Sequence, residues 1–209
     1  YNLSSNTFKR NFIKTKKVFE NFKSDFEVKI PLLQSYEKNY KMNFSSKTIK
    51  RFSKYKNIII IGMGGSILGS KCIHSFLKNK IKKKIFFFDN LDPNLHEQYK
   101  KIKGIKNSCF VVISKSGNTL ETITNLSIIF SSSLIRNKLI IITEIKDSAL
   151  SSIADKFGAE VIEHNNFIGG RYSVLSEAGM LPAMLMNLKI ERFKNIEKFL
   201  KNKFFVNSL

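Results

Sequence analysis

The residues best suited to chemistry lie in three short segments rich in Gly, Ser, Thr and Arg. The first segment reads Gly62-Met63-Gly64-Gly65-Ser66-Ile67-Leu68-Gly69. Glycines at a strand end let the backbone approach a ligand closely, and the following helix offers free N–H groups to an anion. A dinucleotide-binding fingerprint needs a glycine at position 67, which is Ile. The pattern favours an anion-binding loop, and the alternative is a tight strand-to-helix turn without a ligand.

The second segment reads Ser114-Lys115-Ser116-Gly117-Asn118-Thr119, and Glu121 and Thr122 follow it closely. Its hydroxyls can donate hydrogen bonds to phosphate oxygens, although Ser, Thr and Asn also cap helices. A Ser/Thr-rich loop alone is usually a turn. Because a second such loop is expected at the adjacent strand end, a phosphate site is the better interpretation.

The third segment reads Gly169-Gly170-Arg171-Tyr172-Ser173, and a helix is predicted from about residue 174 to 188. Arg is permanently charged and donates in a planar fork, so a Gly-Gly hinge that delivers it to a cleft suits stabilisation of a developing oxyanion. A lone Arg is more often in a surface salt bridge.

The three histidines show no metal-ligand spacing, and no metal is expected. We interpret His74 as a helix residue with satisfied hydrogen bonds, and His96 and His164 as surface residues.

Five short apolar runs must position these segments. Near-continuous apolar strands that alternate with helices indicate a parallel sheet covered on both faces. We therefore predict an α/β fold, a three-layer αβα sandwich with a five-stranded parallel sheet. In the flavodoxin-like order 2-1-3-4-5, ligands bind outside the carboxyl ends of strands 1 and 3. The runs are residues 57–61, 84–88, 108–113, 138–143 and 159–162.

Residues 1–52 form a leader before this fold. Phenylalanines recur in it at helical spacing on a Lys-rich background, which predicts helices that pack on the main domain. The residues concerned are Phe8, Phe12, Phe19, Phe22 and Phe26.

The formal net charge of +20 is nearly all Lys, scattered through the predicted helices. The abundance of Asn, Ile and Phe beside it is typical of A/T-rich codon usage, and no basic stripe is interleaved with aromatic residues. We therefore expect no nucleic-acid partner. No apolar run approaches the roughly 20 residues that cross a bilayer, so no membrane association is expected. Cys72 and Cys109 make no disulfide framework, which fits a reducing cytoplasm.

Together the three segments resemble the glucose-6-phosphate isomerase family, whose amino-terminal domain is of the sugar isomerase (SIS) type. The resemblance covers roughly residues 50–190, and Gly-Gly-Arg-Tyr-Ser is its most specific motif. Ser70 stands where the family commonly has Pro, and Glu177 where a small residue is usual. The implied organisation is a helical leader over 1–52, a SIS-type phosphosugar-binding domain over 53–190, and over 191–209 the start of a linker or helix to a second, missing SIS domain.

The resemblance also implies a role for each matching residue. Gly65 and Ser66 would contact the sugar, Arg171 would stabilise the cis-enediolate, and Glu121 would lie near the ring-opening machinery. The residues that would hold the 6-phosphate are Ser114, Lys115, Ser116 and Thr119.

The implied activity is the cofactor-free interconversion of glucose 6-phosphate and fructose 6-phosphate in glycolysis and gluconeogenesis, by a homodimer when full length. In that family the glutamate base and the ring-opening His and Lys lie in a later domain. The chain is therefore expected to be incomplete and to lack activity alone. Two alternatives stay open: a bifunctional phosphoglucose/phosphomannose isomerase, and a phosphosugar-sensing module without catalysis.

Overall fold

A computed structural model describes residues 4–27, 30–130, 137–194 and 202. Its centre is one sheet of five parallel strands in the order β2-β1-β3-β4-β5. This is the predicted flavodoxin-like order, and each predicted strand end lies within one residue of the observed one. The strands are β1 (Asn57–Gly62), β2 (Lys84–Phe88), β3 (Ser108–Ile113), β4 (Leu139–Thr143) and β5 (Glu160–Glu163).

Helices precede, connect and follow the strands. The α-helices are α1 (Ser5–Glu27), α2 (Pro31–Gln34), α3 (Ser46–Ser53), α4 (Gly65–Leu77), α5 (Leu95–Lys100), α6 (Leu120–Phe130), α7 (Ala149–Phe157) and α8 (Glu177–Leu185). Short 3₁₀ turns occupy Lys78–Lys80, Ile105–Asn107, Gly170–Leu175 and Ile190–Arg192.

The three-layer sandwich follows from the alternation of side chains along the buried strands. Ile59 and Ile61 of β1 face a core completed by α5, α6 and α7. Ile58 and Ile60 face the opposite core, which α3, α4 and α8 complete. All six residues of β1 are buried, as are those of β3. Each fully buried isoleucine contributes about 1.5 to 3 kcal/mol relative to an exposed one, so the central strands hold the sheet together.

Serine side chains cap the N-termini of α3 and α7, two helices that pack on the sheet. The side chain of Ser45 accepts from the backbone N–H of Thr48 at the start of α3. At α7, Ser148 and Ser151 form a reciprocal capping box, and Gly158 ends the helix in the left-handed conformation. Such caps satisfy N–H groups that the helix itself leaves without partners.

The leader is helical as predicted, but only part of it packs on the domain. Helix α3 places Phe52 in the core with no exposed surface. In α1, by contrast, Phe8 and Phe12 are 59% and 51% exposed and stack on each other. The prediction that these two rings pack on the main domain is wrong, because α3, α4 and α8 already cover that face of the sheet. The side chain of Phe26 lies outside the described residues.

The segment after the Gly-Gly pair also differs from its prediction. The sequence predicts a single helix from about residue 174 to 188, whereas a 3₁₀ turn ends at Leu175 and α8 begins only at Glu177. The extended backbone of Ser176, at φ −96° and ψ −168°, separates the two. After Leu185 the chain leaves the helix, and Asn187 adopts a positive φ of 65°.

Among the described helices, none is long and apolar enough to span a membrane. Cys72 is exposed on α4 and Cys109 is buried in β3, and both thiols are free. The predicted linker over 191–209 falls mostly outside the described residues, which include only 191–194 and 202 of it.

Candidate functional site

Two of the three segments meet at the carboxyl edge of the sheet because β1 and β3 are neighbours. Gly62, the last residue of β1, pairs with Ile113, the last residue of β3. The loops that follow them therefore begin side by side, at the point where the strand order reverses. Ligands bind in such crevices in open α/β sheets.

The first loop touches the third segment through backbone atoms. A Cβ built on Gly65 would lie 2.4 Å from the carbonyl of Gly170 and 2.7 Å from the backbone N of Arg171. No real Cβ tolerates such contacts, so position 65 requires glycine. The hydroxyl of Ser173 donates to the carbonyls of Gly170 at 2.8 Å and Gly65 at 3.3 Å, which ties the two segments together.

The second loop carries a row of hydroxyls. The Oγ of buried Ser114 lies 2.9 Å from the Oγ1 of Thr119, and the Oγ of Ser116 lies 3.4 Å from the same atom. Ser116 is exposed and Thr119 half-buried. Each hydroxyl can donate to a phosphate oxygen, and α6 begins immediately after them with its free N–H groups.

Helix α7 fixes the shape of this second loop. Gly117 has a positive φ of 71°, and its carbonyl accepts from the N–H of Leu150 at 3.1 Å. The side chain of Asn118 accepts from the N–H of Ala149 at 2.8 Å. A Cβ at position 117 would lie 2.3 Å from the Oγ of Ser148, so the loop is held closed against the start of α7.

Lys115 connects the second loop to the stretch of chain that precedes the third segment. Its Nζ donates to the carbonyl of Asn166 at 2.6 Å and lies 3.6 Å from the carboxylate of Glu144. A hydrogen bond from Lys146, together with the charge of Lys115, holds the pKa of Glu144 below its usual value. The amine of Lys115 thus already has protein partners, and its predicted contact with the 6-phosphate stays a prediction.

Arg171 and Glu121 flank these loops. Arg171 is exposed in the 3₁₀ turn, and its backbone N lies against Gly65 of the first loop. Glu121 is half-buried in the first turn of α6, two residues beyond Thr119. Ser66 is half-buried in the first turn of α4. The sequence-predicted site residues therefore all lie on loops and helix starts at one edge of the sheet, and their individual roles stay predictions.

The phosphoglucose isomerase family model matches residues 19–208. The chain belongs to that family.

Relatives within the family come from several different organisms. Glucose-6-phosphate isomerase of Borreliella burgdorferi strain ZS7 is 32% identical over 173 residues, which are 77% of this chain and 32% of that protein. The protein of the same name from Methanocaldococcus jannaschii is 31% identical over 147 residues, covering 68% of this chain and 36% of that protein. The chain thus spans about a third of the length of the curated relatives that it matches.

Solved structures show the same fold. A glucose-6-phosphate isomerase from Chlamydia trachomatis superposes with a TM-score of 0.60 at 26% identity, over 75% of this chain and 30% of that one. A hypothetical protein from Thermus thermophilus superposes with a TM-score of 0.72 at 19% identity, over 94% of this chain and 51% of that one. The second likeness concerns the fold alone.

Both departures from the phosphoglucose isomerase motifs have a structural explanation. Ser70, in place of the common Pro, is buried in α4, and its hydroxyl donates to the carbonyl of Ala178 at 3.1 Å. Glu177, in place of a small residue, is fully buried and accepts from the hydroxyl of Tyr40 at 3.1 Å and the backbone N–H of Asn43 at 3.0 Å. The hydrogen bonds of Glu177 therefore connect the leader to α8, the helix that follows Arg171 in the sequence.

A buried lysine accompanies this carboxylate. The Nζ of Lys194 lies 4.2 Å from the ring centroid of Tyr40 and has no hydrogen-bond partner among the described residues. Burial lowers the pKa of Lys194 to about 8, and the charge of Glu177 works against that shift. Burial also raises the pKa of the Tyr40 hydroxyl, and the neighbouring carboxylate of Glu177 adds to this effect.

His164 is not a surface residue, contrary to its prediction. It follows β5 directly, is 1% exposed, and its backbone N–H donates to the carbonyl of Thr143 at 2.8 Å. Burial lowers the pKa of its ring, chiefly through loss of solvation, which favours the neutral form at pH 7. The prediction is wrong because the bond to β4 brings this residue under the second loop. His74 is half-buried and packs edge-on against Phe87.

Replacement of Glu177 by Ala should lower the free energy of unfolding by roughly 3 kcal/mol, since it removes the acceptor of the half-buried Tyr40 hydroxyl and of the Asn43 N–H, and the negative charge that acts on buried Lys194. Urea denaturation of the chain measures the change. The matched control is Glu97→Ala, which removes a carboxylate 61% exposed in its side chain and should change stability little. Equal effects of the two substitutions would contradict a structural role for Glu177.

Proposed function

We propose that the whole protein containing this chain is a glucose-6-phosphate isomerase, which interconverts an aldose and a ketose phosphate without a cofactor. The observation that carries the proposal is that the three segments come together at one sheet edge: the loops after β1 and β3 begin side by side, Gly65 lies against Gly170, and Lys115 bonds to Asn166 just before the third segment. Membership of the phosphoglucose isomerase family supports it. In the cell this reaction serves glycolysis and gluconeogenesis.

The 6-phosphate would occupy the mouth of the second loop. Three hydroxyls lie together there, since the Oγ atoms of Ser114 and Ser116 are 2.9 Å and 3.4 Å from the Oγ1 of Thr119. The start of α6 adds backbone N–H groups. Charge-assisted hydrogen bonds to a dianion are shorter and stronger than neutral ones, so this loop supplies much of the affinity. Lys115 would add positive potential at this loop. If its amine keeps its bond to Asn166, it would do so without direct contact with the phosphate.

The sugar would lie between the first loop and Arg171. Gly65 and Ser66 bring backbone and hydroxyl groups to the sugar, while the guanidinium faces the C1 and C2 oxygens. During isomerisation a base removes the proton from C2 and returns it to C1, and negative charge develops on oxygen in the cis-enediolate between the two steps. A permanently charged guanidinium stabilises that charge as it forms.

Glu121 is better suited to ring opening than to this proton transfer. It lies in the first turn of α6, beside the loop that would hold the phosphate at the far end of the sugar. We propose that the base that moves the C2 proton comes from the remainder of the protein, since this chain spans about a third of its relatives.

We further propose that the protein is a cytoplasmic homodimer with sugar phosphates as its ligands. The two free cysteines suit a reducing compartment. Size-exclusion chromatography with light scattering on the whole protein tests the dimer.

The double substitution Ser116→Ala and Thr119→Ala should weaken fructose 6-phosphate binding at least tenfold, because each lost charge-assisted hydrogen bond contributes roughly 1.5 to 3 kcal/mol. Isothermal titration of the chain measures the dissociation constant. The control, Ser5→Ala with Thr15→Ala, removes two exposed hydroxyls from α1 and should leave binding unchanged. A chain that binds glucose as tightly as glucose 6-phosphate would contradict the assigned phosphate site.

A further inference from the structure

A second concave surface lies at the opposite edge of the sheet, where β1, β2 and β3 begin. It is a cleft of about 630 Å³. β1 has six residues and a strand rises about 3.3 Å per residue, so roughly 20 Å separate this cleft from the loops at the carboxyl edge. The charged residues that line it are Lys54, Lys56, Lys82, Lys83, Lys84 and Lys103.

The charges of this cleft are not neutralised by the protein. No acidic residue lines it, and none of the six lysines is in an ion pair within the part of the chain that the structure describes. Like charges that converge on a concave surface raise the positive potential inside it and attract anions.

Hydrogen bonds hold together the floor of the cleft. The side-chain amide of Asn57 donates to the carbonyls of Lys103 at 3.1 Å and Gly104 at 3.2 Å and to the hydroxyl of Ser108 at 3.2 Å. The Nζ of Lys83 donates to the carbonyl of Ser53 at 2.8 Å. Burial lowers the pKa of this half-buried lysine. These bonds join the start of β1 to the start of β3, and the residue before β2 to the end of α3.

An aromatic wall adds a second kind of contact. Tyr55 lines the cleft and is half-buried, with the Nζ of Lys54 at 5.5 Å from its ring centroid. The ring can contact a planar group of a ligand, while the surrounding ammonium groups meet its charges. The cleft volume lies in the range of small-molecule sites, about 300 to 1,000 Å³.

We propose that this cleft binds a small polyphosphate, an anion with a linear chain of three phosphates. Six lysines around one cleft carry more positive charge than a single phosphate monoester can neutralise, and a triphosphate chain carries more of the opposite charge. The same chemistry occurs in inorganic tripolyphosphate and in a nucleoside triphosphate, and the Tyr55 ring distinguishes the two because only the nucleotide carries a planar base.

The experiment is isothermal titration of the chain with tripolyphosphate and with ATP, each without metal, in about 150 mM salt, where long-range attraction is screened. The test variant carries Lys56→Gln, Lys82→Gln and Lys84→Gln. The matched control carries Lys14→Gln, Lys16→Gln and Lys17→Gln, which remove the same charge from exposed positions of α1. We expect the test variant to weaken tripolyphosphate binding at least tenfold and the control to change it less than twofold. Saturating fructose 6-phosphate should not displace the bound tripolyphosphate.

Tighter binding of ATP than of tripolyphosphate, lost in Tyr55→Leu, would identify a nucleotide as the source of the triphosphate. Equal affinities would identify the inorganic chain. Equal weakening in the test and control variants would overturn the proposal, since the binding would then follow net charge alone. Displacement of tripolyphosphate by fructose 6-phosphate would also overturn the proposal. So would binding of duplex DNA that is tighter than the binding of tripolyphosphate and that depends on the same three lysines.

Discussion

Replacement of Gly65 by Ala is expected to abolish measurable fructose 6-phosphate binding and to lower the free energy of unfolding by about 2 to 4 kcal/mol. The added Cβ would lie 2.4 Å from backbone atoms of Gly170, and backbone cannot rotate away as a flexible side chain can. The first loop and the Gly-Gly-Arg turn must therefore separate. Because both would contribute to the proposed sugar site, one methyl group should destroy its geometry. Titration calorimetry and urea denaturation measure the two effects.

Gly170→Ala is the matched control for this substitution. It adds the same methyl group on the other side of the same contact, but a Cβ there meets nothing within 4 Å. Its stability should stay within about 0.5 kcal/mol of the unchanged chain. A stability loss for Gly65→Ala no larger than that for Gly170→Ala would show that the two segments are not packed as described.

The fold was predictable because its strands are nearly continuous apolar runs. Burial on both faces requires such runs, and the residues from Ile58 to Ile61 have no exposed surface. Alternation with helices then dictates a parallel sheet, and the glycines and hydroxyls after β1 and β3 mark its ligand edge. Local sequence therefore carried both the layer architecture and the positions of the site loops.

Side-chain partners far apart in the sequence were not predictable. His164 is buried because its backbone bonds to Thr143, and Glu177 is buried because Tyr40, 137 positions away, donates to it. The amine of Lys115 meets a carbonyl 51 positions away instead of open solvent. Composition and periodicity report none of these pairings. A charged residue at a position where the phosphoglucose isomerase motif is usually small was the available signal for Glu177.

The predicted packing of α1 was wrong for a related reason. Phenylalanines at helical spacing indicate an apolar stripe, but they do not show which surface it meets. Here the sheet face is already covered by α3, α4 and α8, so Phe8 and Phe12 stack on each other in solvent. Periodicity predicted the helix correctly and left its partner undetermined.

Arg171→Ala in the whole protein should lower kcat by about 10² to 10³, the loss typical of removing one donor to a developing oxyanion. KM should change only a few-fold, because in the proposed mechanism the guanidinium would meet full negative charge in the enediolate and only neutral oxygens in the bound sugar. Its exposed position beside the first loop leaves it free to make that contact. Steady-state kinetics in both directions of the isomerisation measure the two constants.

Two further variants show whether the lower kcat of Arg171→Ala comes from the loss of the planar pair of hydrogen-bond donors at this position. Arg171→Lys keeps the charge but not the planar pair of donors, and its kcat should lie between those of the unchanged enzyme and the Ala variant. Arg10→Ala removes an exposed guanidinium from α1, outside the site, and should leave both constants unchanged. A rise in KM with kcat preserved in Arg171→Ala would place this residue in ground-state binding of the substrate, and the stabilisation of the enediolate would then have to come from another group.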